Sequence, residues 1–138
     1  MKKREIFINL SVKNLDKSKE FFSKLGFSFN LDFTDENAAC MLIEENIFSM
    51  LITEKFFNTF IPGRKITDTK KDVEVLNAFS VNSRNEVDEM IKKVIKAGGN
   101  EYRTVSDYGW MYSRSFEDLD KHIWEVMYID ETKIPKKK

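Results

Sequence analysis

The sequence predicts an α+β fold built from two tandem βαβββ modules. Three observations point to it. Each half opens with a short apolar strand, a cap-rich turn and a helix with one apolar face. A single offset of 69 residues carries those features from the first half onto the second, with Phe7 falling on Leu76. Each helix is followed by three strand-like stretches separated by turn residues.

Taken in order, residues 7–12 read as the first strand, with Asn14 or Asp16 as the cap of the helix that follows. Ser18, Phe21, Phe22 and Leu25 fall on one helical face, and Gly26 is a natural stop. Strands are then expected over 27–33, 38–43 and 47–53. Residues 54–72 hold Pro62-Gly63 and five basic residues, so they read as a connector, with Phe56, Phe57 and Phe60 as its aromatic cluster. In the second half, 76–81 is the strand, and Val87, Met90, Ile91 and Val94 repeat the helical face before Gly98 and Gly99. Strands follow over 101–105, 110–116 and 123–129. The expected division is one domain over 1–138, with modules at 5–53 and 73–130, the connector at 54–72 and a tail at 131–138. Two curved sheets with helices on their outer faces would result. Three strands after each helix argue against a ferredoxin-like βαββαβ plan.

The 138 residues suit one ordinary domain, and 41% hydrophobic with 33% charged content suits a soluble globular chain. Lys+Arg and Asp+Glu stand at 23 each, which gives no electrostatic case for nucleic acid. The apolar run at 6–10, behind a basic start, is too short for a signal segment or a membrane span. One cysteine, Cys40, makes no disulfide framework and no cysteine-based zinc cluster. A cytoplasmic protein without nucleic-acid or membrane partners is expected. The lysine tail reads as a solvated terminus.

Two motifs carry a family resemblance. Asn9-Leu10-Ser11-Val12-Lys13-Asn14-Leu15-Asp16-Lys17-Ser18, followed by Phe21-Phe22 and Leu25-Gly26-Phe27, is similar to the opening strand, turn and helix end of the glyoxalase/bleomycin-resistance/dioxygenase (vicinal-oxygen-chelate) superfamily. Asp118-Leu119-Asp120-Lys121-His122-Ile123-Trp124-Glu125-Val126 resembles that superfamily's "D-P-D-G-N-x-W-E-L" turn and last strand. The resemblance implies a glyoxalase-like fold, with the two modules forming a cup-shaped mixed sheet, and a homodimer. It does not fix an activity, because the superfamily spans lyases, dioxygenases, transferases and metal-free antibiotic-binding proteins.

In the metal-dependent relatives, ligands sit at the start of each module's first strand and within its last strand. Counting back from Asn14 gives Phe7, the 69-residue offset gives Leu76, and the last-strand places are Glu125 and, by matching Ile-Trp-Glu-Val to Ile47-Phe48-Ser49-Met50, Ser49. One carboxylate, one hydroxyl and two hydrocarbons cannot hold a catalytic divalent ion tightly. A shift of two residues would add only Asn9. No cofactor is therefore expected, beyond a weak divalent ion on Glu125. Tyr112 or Arg114 could lie near Glu125 and orient a polar substrate. The histidine His122 lies in the turn before the last strand and reads as a surface residue facing away from Glu125.

The resulting expectation is a small-molecule binder with an apolar cup contacted by Phe7, Asn9, Ser49, Leu76, Tyr112, Arg114 and Glu125, and without a tight metal. The alternatives are a glyoxalase-like lyase or other enzyme using Glu125 as base or metal ligand, and a non-catalytic interaction domain.

Overall fold

A computed structural model describes residues 3–136. The outermost residues of the basic start and of the lysine tail lie outside the described residues. The chain divides into two compact units, Met1–Asp68 and Thr69–Lys138.

The first unit is a four-stranded mixed sheet with the order β1-β4-β3-β2. Its strands are β1 (Ile6–Val12), β2 (Ser28–Asn30), β3 (Ala38–Glu44) and β4 (Ile47–Thr53), and the helix α1 (Leu15–Lys24) follows β1. Asn14 caps α1 by accepting from the Lys17 N–H at 3.0 Å. The helix ends where Gly26 takes φ +104° and Phe27 N–H donates to Phe22 O, the closed turn that glycine permits at low cost. Strand alternation puts Leu10, Val12, Ala39, Met41 and Leu51 on one face of the sheet, each no more than 2% exposed. That face packs against Phe21, Phe22 and Leu25 of the helix end, also buried. Burying each such large apolar side chain contributes roughly 1.5–3 kcal/mol.

The second unit repeats the plan. Its sheet has the order β5-β9-β8-β6, with β7 also on β8. The elements are β5 (Leu76–Ser80), α3 (Arg84–Lys96), β6 (Asn100–Glu101), β7 (Ser106–Asp107), β8 (Met111–Glu117) and β9 (Ile123–Ile129). Ser83 caps α3 through the Glu86 N–H at 3.0 Å, and Glu86 Oε2 reaches back to accept from Asn82 N–H at 2.7 Å. Val87, Ile91 and Val94 are buried beneath the helix with Phe116, Trp124 and Val126. In both sheets the first and last strands pair in parallel and the remaining pairs are antiparallel.

Two expected strands are shorter than read. The 27–33 stretch is a strand only to Asn30, whose side-chain oxygen accepts from the Asp32 N–H at 3.0 Å and turns the chain into a 3-10 helix over Leu31–Phe33. The 101–105 stretch leaves the sheet after Tyr102. Arg103 N–H donates to the Ser115 hydroxyl at 3.0 Å, a side chain, so the backbone ladder stops there. Ser106 and Asp107, read as turn, return to pair with Ser113 and Tyr112. The connector carries no strand. A short helix α2 (Glu54–Phe57) runs into a 3-10 turn over Asn58–Phe60, with the Phe56 and Phe60 rings edge to face at 5.0 Å. Among the described residues no helix is long and apolar enough to cross a membrane.

Candidate functional site

Each sheet has one face against its helix and one face without a helix, and register decides which side chains reach the helix-free face. In the first unit Phe7 pairs with Phe48 and Asn9 with Met50. Paired residues point the same way, so these four share the helix-free face. A hollow of about 410 Å³ lies there, lined in part by Phe7, Asn9, Phe48, Met50, Cys40 and Asn30. Phe7 and Phe48 stack with centroids 4.9 Å apart and planes 11° from parallel. Ser49 lies on the other face with Ile8 and Leu51, fully buried, and its hydroxyl has no hydrogen-bond partner among the described residues. It does not join Phe7 and Asn9. Matching Ile-Trp-Glu-Val to Ile47-Phe48-Ser49-Met50 misplaced it by one residue: Phe7 pairs with Phe48 and Leu76 pairs with Ile123, so Glu125 corresponds to Met50.

In the second unit Leu76, Ala78, Ile123 and Glu125 share the helix-free face, with Ser113 and Ser115 beside them on β8. Leu76 is 58% exposed. Glu125 Oε1 accepts two hydrogen bonds from Arg103, from Nε at 2.9 Å and Nη2 at 2.7 Å. Arg103 also donates from Nη2 to the Ser113 hydroxyl at 3.1 Å and from Nη1 to the Thr104 carbonyl at 3.0 Å. The guanidinium is thus held by four hydrogen bonds to three groups, and it compensates the carboxylate on an otherwise apolar strand face. Arg103, Ser113 and Glu125 line a second, shallower hollow of about 550 Å³ with Tyr108, Met111 and Val105. Sequence reading missed Arg103, which sits in a segment taken for regular strand; the signal available was a lone cation in a stretch that must lie next to the last two strands.

Tyr112 and Arg114 are not near Glu125. They alternate onto the opposite face of β8 and meet α3 and β6. Arg114 Nη1 donates to Asp88 Oδ1 at 2.8 Å, and its Nε and Nη2 donate to the two oxygens of Glu101 at 2.7 and 2.8 Å. The Tyr112 hydroxyl donates to Asp88 at 2.7 Å, and the Arg84 guanidinium lies 4.9 Å over the Tyr112 ring while pairing with Asp107. Those bonds hold the Asp88 and Glu101 carboxyls below their ordinary values, through Tyr112 and Arg114 respectively. The ladder ties β6, β7 and β8 to the helix.

His122 is buried, not a surface residue. Its Nδ1 lies 3.7 Å from Glu74, and its backbone N–H donates to Asp118 at 3.0 Å. Asp118 is buried too, and also accepts from Trp124 Nε1 at 3.0 Å and the Asp120 N–H at 2.9 Å. Burial pushes its carboxyl up to about 6, with the His122 ring and the Trp124 bond pulling the other way. The turn it organises lies ahead of β9 and serves the strand's position.

Comparison with known proteins matches this architecture. Residues 4–43 match the family described as bleomycin resistance protein-like N-terminal. A hypothetical protein from S. aureus superposes with a TM-score of 0.76 at 27% identity, over 93% of this chain and 95% of that one. A glyoxalase/bleomycin resistance protein/dioxygenase family enzyme from Burkholderia phytofirmans does so at 0.76 and 11% identity, over 89% and 96%. The chain has the glyoxalase/bleomycin-resistance fold. A fosfomycin resistance protein from Listeria monocytogenes shares it with a TM-score of 0.65 at 18% identity, over 100% and 97%. No protein of curated function matches the sequence.

The places where the resemblance led us to expect metal ligands become, with the register corrected, Phe7, Met50, Leu76 and Glu125. They offer one hard donor, and it is engaged by Arg103. Among the described residues no three His, Cys, Asp or Glu side chains converge on a point that could hold a metal. The residues present do not fit a divalent ion.

Proposed function

We propose that the chain binds a small organic molecule on the helix-free faces of its sheets and does so without a tightly held divalent metal. One observation carries this reading. At the place where a metal-dependent relative has its carboxylate ligand, Glu125 has its Oε1 covered by two N–H groups of Arg103 at 2.7 and 2.9 Å. A built-in cation neutralises the acid that an ion would otherwise neutralise. The aromatic hollow of the first sheet supports the binding part of the reading, since pockets of roughly 300–1,000 Å³ lined by apolar rings with a few polar groups are the usual form of small-molecule sites. The enzymatic alternative, with Glu125 as general base, has one observation in its favour: Oε2 accepts no hydrogen bond among the described residues. Its other oxygen is nonetheless occupied by Arg103, and binding is the better reading.

Elemental analysis of purified protein tests the metal half, and about one zinc, nickel, iron or manganese per chain that resists a mild chelator would overturn it. Thermal unfolding with a ligand panel headed by bleomycin and fosfomycin, the compounds in the relatives' names, tests the other half. A ligand at a hundred times its Kd adds about 2.7 kcal/mol. If no compound shifts the transition, the interaction-domain reading replaces this one.

A further inference from the structure

The hollow on the second sheet differs in kind from the one on the first. Its volume is about 550 Å³, and its two charged lining side chains, Arg103 and Glu125, pair with each other. No other charged side chain among the described residues lines it. The hollow therefore presents no net charge, yet it is not apolar, because polar atoms around the ion pair are left open. Glu125 Oε2 accepts no hydrogen bond among the described residues, and one Nη1 hydrogen of Arg103 has no acceptor there. The Ser113 hydroxyl accepts from Arg103 at 3.1 Å and keeps its own O–H to donate. Ser106 pairs with Ser113 across β7 and β8, so the two side chains stand on one face, and both line the hollow.

An aromatic ring stands at the rim. Tyr108, at the tip between β7 and β8, lines the same hollow and is 63% exposed. Trp110 backs its ring, with centroids 6.2 Å apart and planes 22° from parallel. The tip is held from several directions. Asp107 Oδ1 accepts from the Gly109 N–H at 2.9 Å, and Arg84 donates to the two Asp107 oxygens at 2.8 and 2.9 Å. The Tyr108 N–H donates to the Met111 carbonyl at 2.9 Å. A flat apolar surface is thus set in advance beside the open polar atoms, which lowers the ordering cost of binding.

We infer that this hollow binds an uncharged sugar, a pyranose ring with neighbouring hydroxyls. The inference rests on the small-molecule-binding reading and names the ligand class for the second sheet. As a carboxylate oxygen Glu125 Oε2 only accepts, Arg103 Nη1 only donates, and the serine hydroxyls do either. A ligand hydroxyl also does either, so neighbouring hydroxyls match all of these atoms whichever way each is turned. The C–H face of the ring lies on Tyr108, whose side chain joins an apolar body to a polar tip. A purely apolar ligand would cover Oε2 and the Ser113 O–H without partners. An ion of either sign would meet the like-charged member of the Arg103–Glu125 pair beside the oppositely charged one, so its charge gains little.

Titration of the 15N-labelled full chain with methyl pyranosides of the gluco, galacto and manno series, followed through the amide NMR spectrum, tests this. At least one is expected to bind saturably with a Kd of about 1 mM or tighter, and the shifts should centre on the amides of residues 103–108 and of Ser113. At pH 6 the cationic 2-amino and anionic 6-carboxylate counterparts of that sugar should bind about five-fold or more weakly. Tyr108→Ala should weaken the neutral sugar about five-fold or more at unchanged Tm, because the side chain is exposed, whereas Tyr108→Phe keeps the ring face and should bind within about two-fold of the parent. Ser113→Ala should weaken binding as well; if that variant folds poorly, the two Tyr108 variants decide. Equal or tighter binding of either charged counterpart, or indifference to Tyr108→Ala, overturns the inference. If no pyranoside moves these amides while another compound raises Tm, the sugar class is wrong and the binding reading stands. If no compound, the pyranosides included, binds or raises Tm, both fall.

Discussion

Lys121 holds φ at +67°, the left-handed region that side chains other than glycine enter at a cost, and it is the one described non-glycine residue to do so. It stands in the Asp118–His122 turn, where the superfamily pattern has glycine. Lys121 N–H donates to the Asp118 carbonyl at 3.1 Å, so the conformation is held by the turn and not by the side chain, whose nearest ion pair, with Glu117, spans 3.9 Å. Lys121→Gly is expected to raise stability by about 0.5–1 kcal/mol, read as a higher urea midpoint at unchanged slope. Unchanged or lower stability would show that the strain is relieved elsewhere. Glu125→Gln keeps the shape and removes the charge opposite Arg103. It should lower stability by about 1–2 kcal/mol and leave ligand binding to the first sheet intact. Retained stability with lost binding would instead make Glu125 part of the binding site. At this scale it was legible that Glu125 lies on the strand face opposite Trp124 and Val126, because alternation alone separates them. Its partner was not legible, because Arg103 reaches it from a segment whose path depends on where a neighbouring strand's ladder stops.

Among elements, the two helices were the most legible features. Their apolar stripes, caps and terminal glycines are local signals, and Phe21, Phe22, Val87, Ile91 and Val94 are buried as the spacing demands. The seventh strand-like stretch was not legible. Its alternation is unambiguous, but nothing local says which set faces the helix; the Arg114–Asp88–Glu101 ladder decides it, through side chains from two other elements. That ladder sets a pH dependence. Asp88 and Glu101 are held below their ordinary values, so their contribution is present above about pH 4–4.5, the unfolded range, and is lost as pH falls through their lower folded values. Unfolding followed from pH 6 down to pH 3 should show stability falling at the acid end. Arg114→Gln should cost about 2 kcal/mol at pH 7 and flatten that acid limb. An acid limb as steep as the parent's would assign it to other carboxylates.

For the molecule as a whole, the duplication was legible because one offset aligns a strand and a helix face. It drifts along the chain: Phe7 and Leu76 correspond at the first strands, but Met50 and Glu125 at the last. Ser49 took the place of Met50 because the last strands were aligned by residue type, Ile-Trp-Glu-Val on Ile47-Phe48-Ser49-Met50, and pairing sets them one residue apart from that match. Each sheet ends on an edge strand with exposed apolar residues, Ile6 and Phe7 on β1 and Leu76 on β5, and such edges call for cover. We expect a two-fold homodimer, about twice the 16.3 kDa chain in sedimentation at micromolar concentration. A single species at the chain mass would count against it.

The parallel pairing of each module's first strand with its last has a kinetic consequence. The β3–β4 and β8–β9 hairpins join neighbours in sequence and can zip early, whereas β1 must find β4 across 34 residues of intervening chain, and β5 must find β9 across 42. Until it does, one side of each last strand is an open row of unpaired backbone groups. A newly made chain therefore has β1 waiting in solution while β4 is synthesised, and the interval before it docks is when one molecule's first strand is free to pair with another's last.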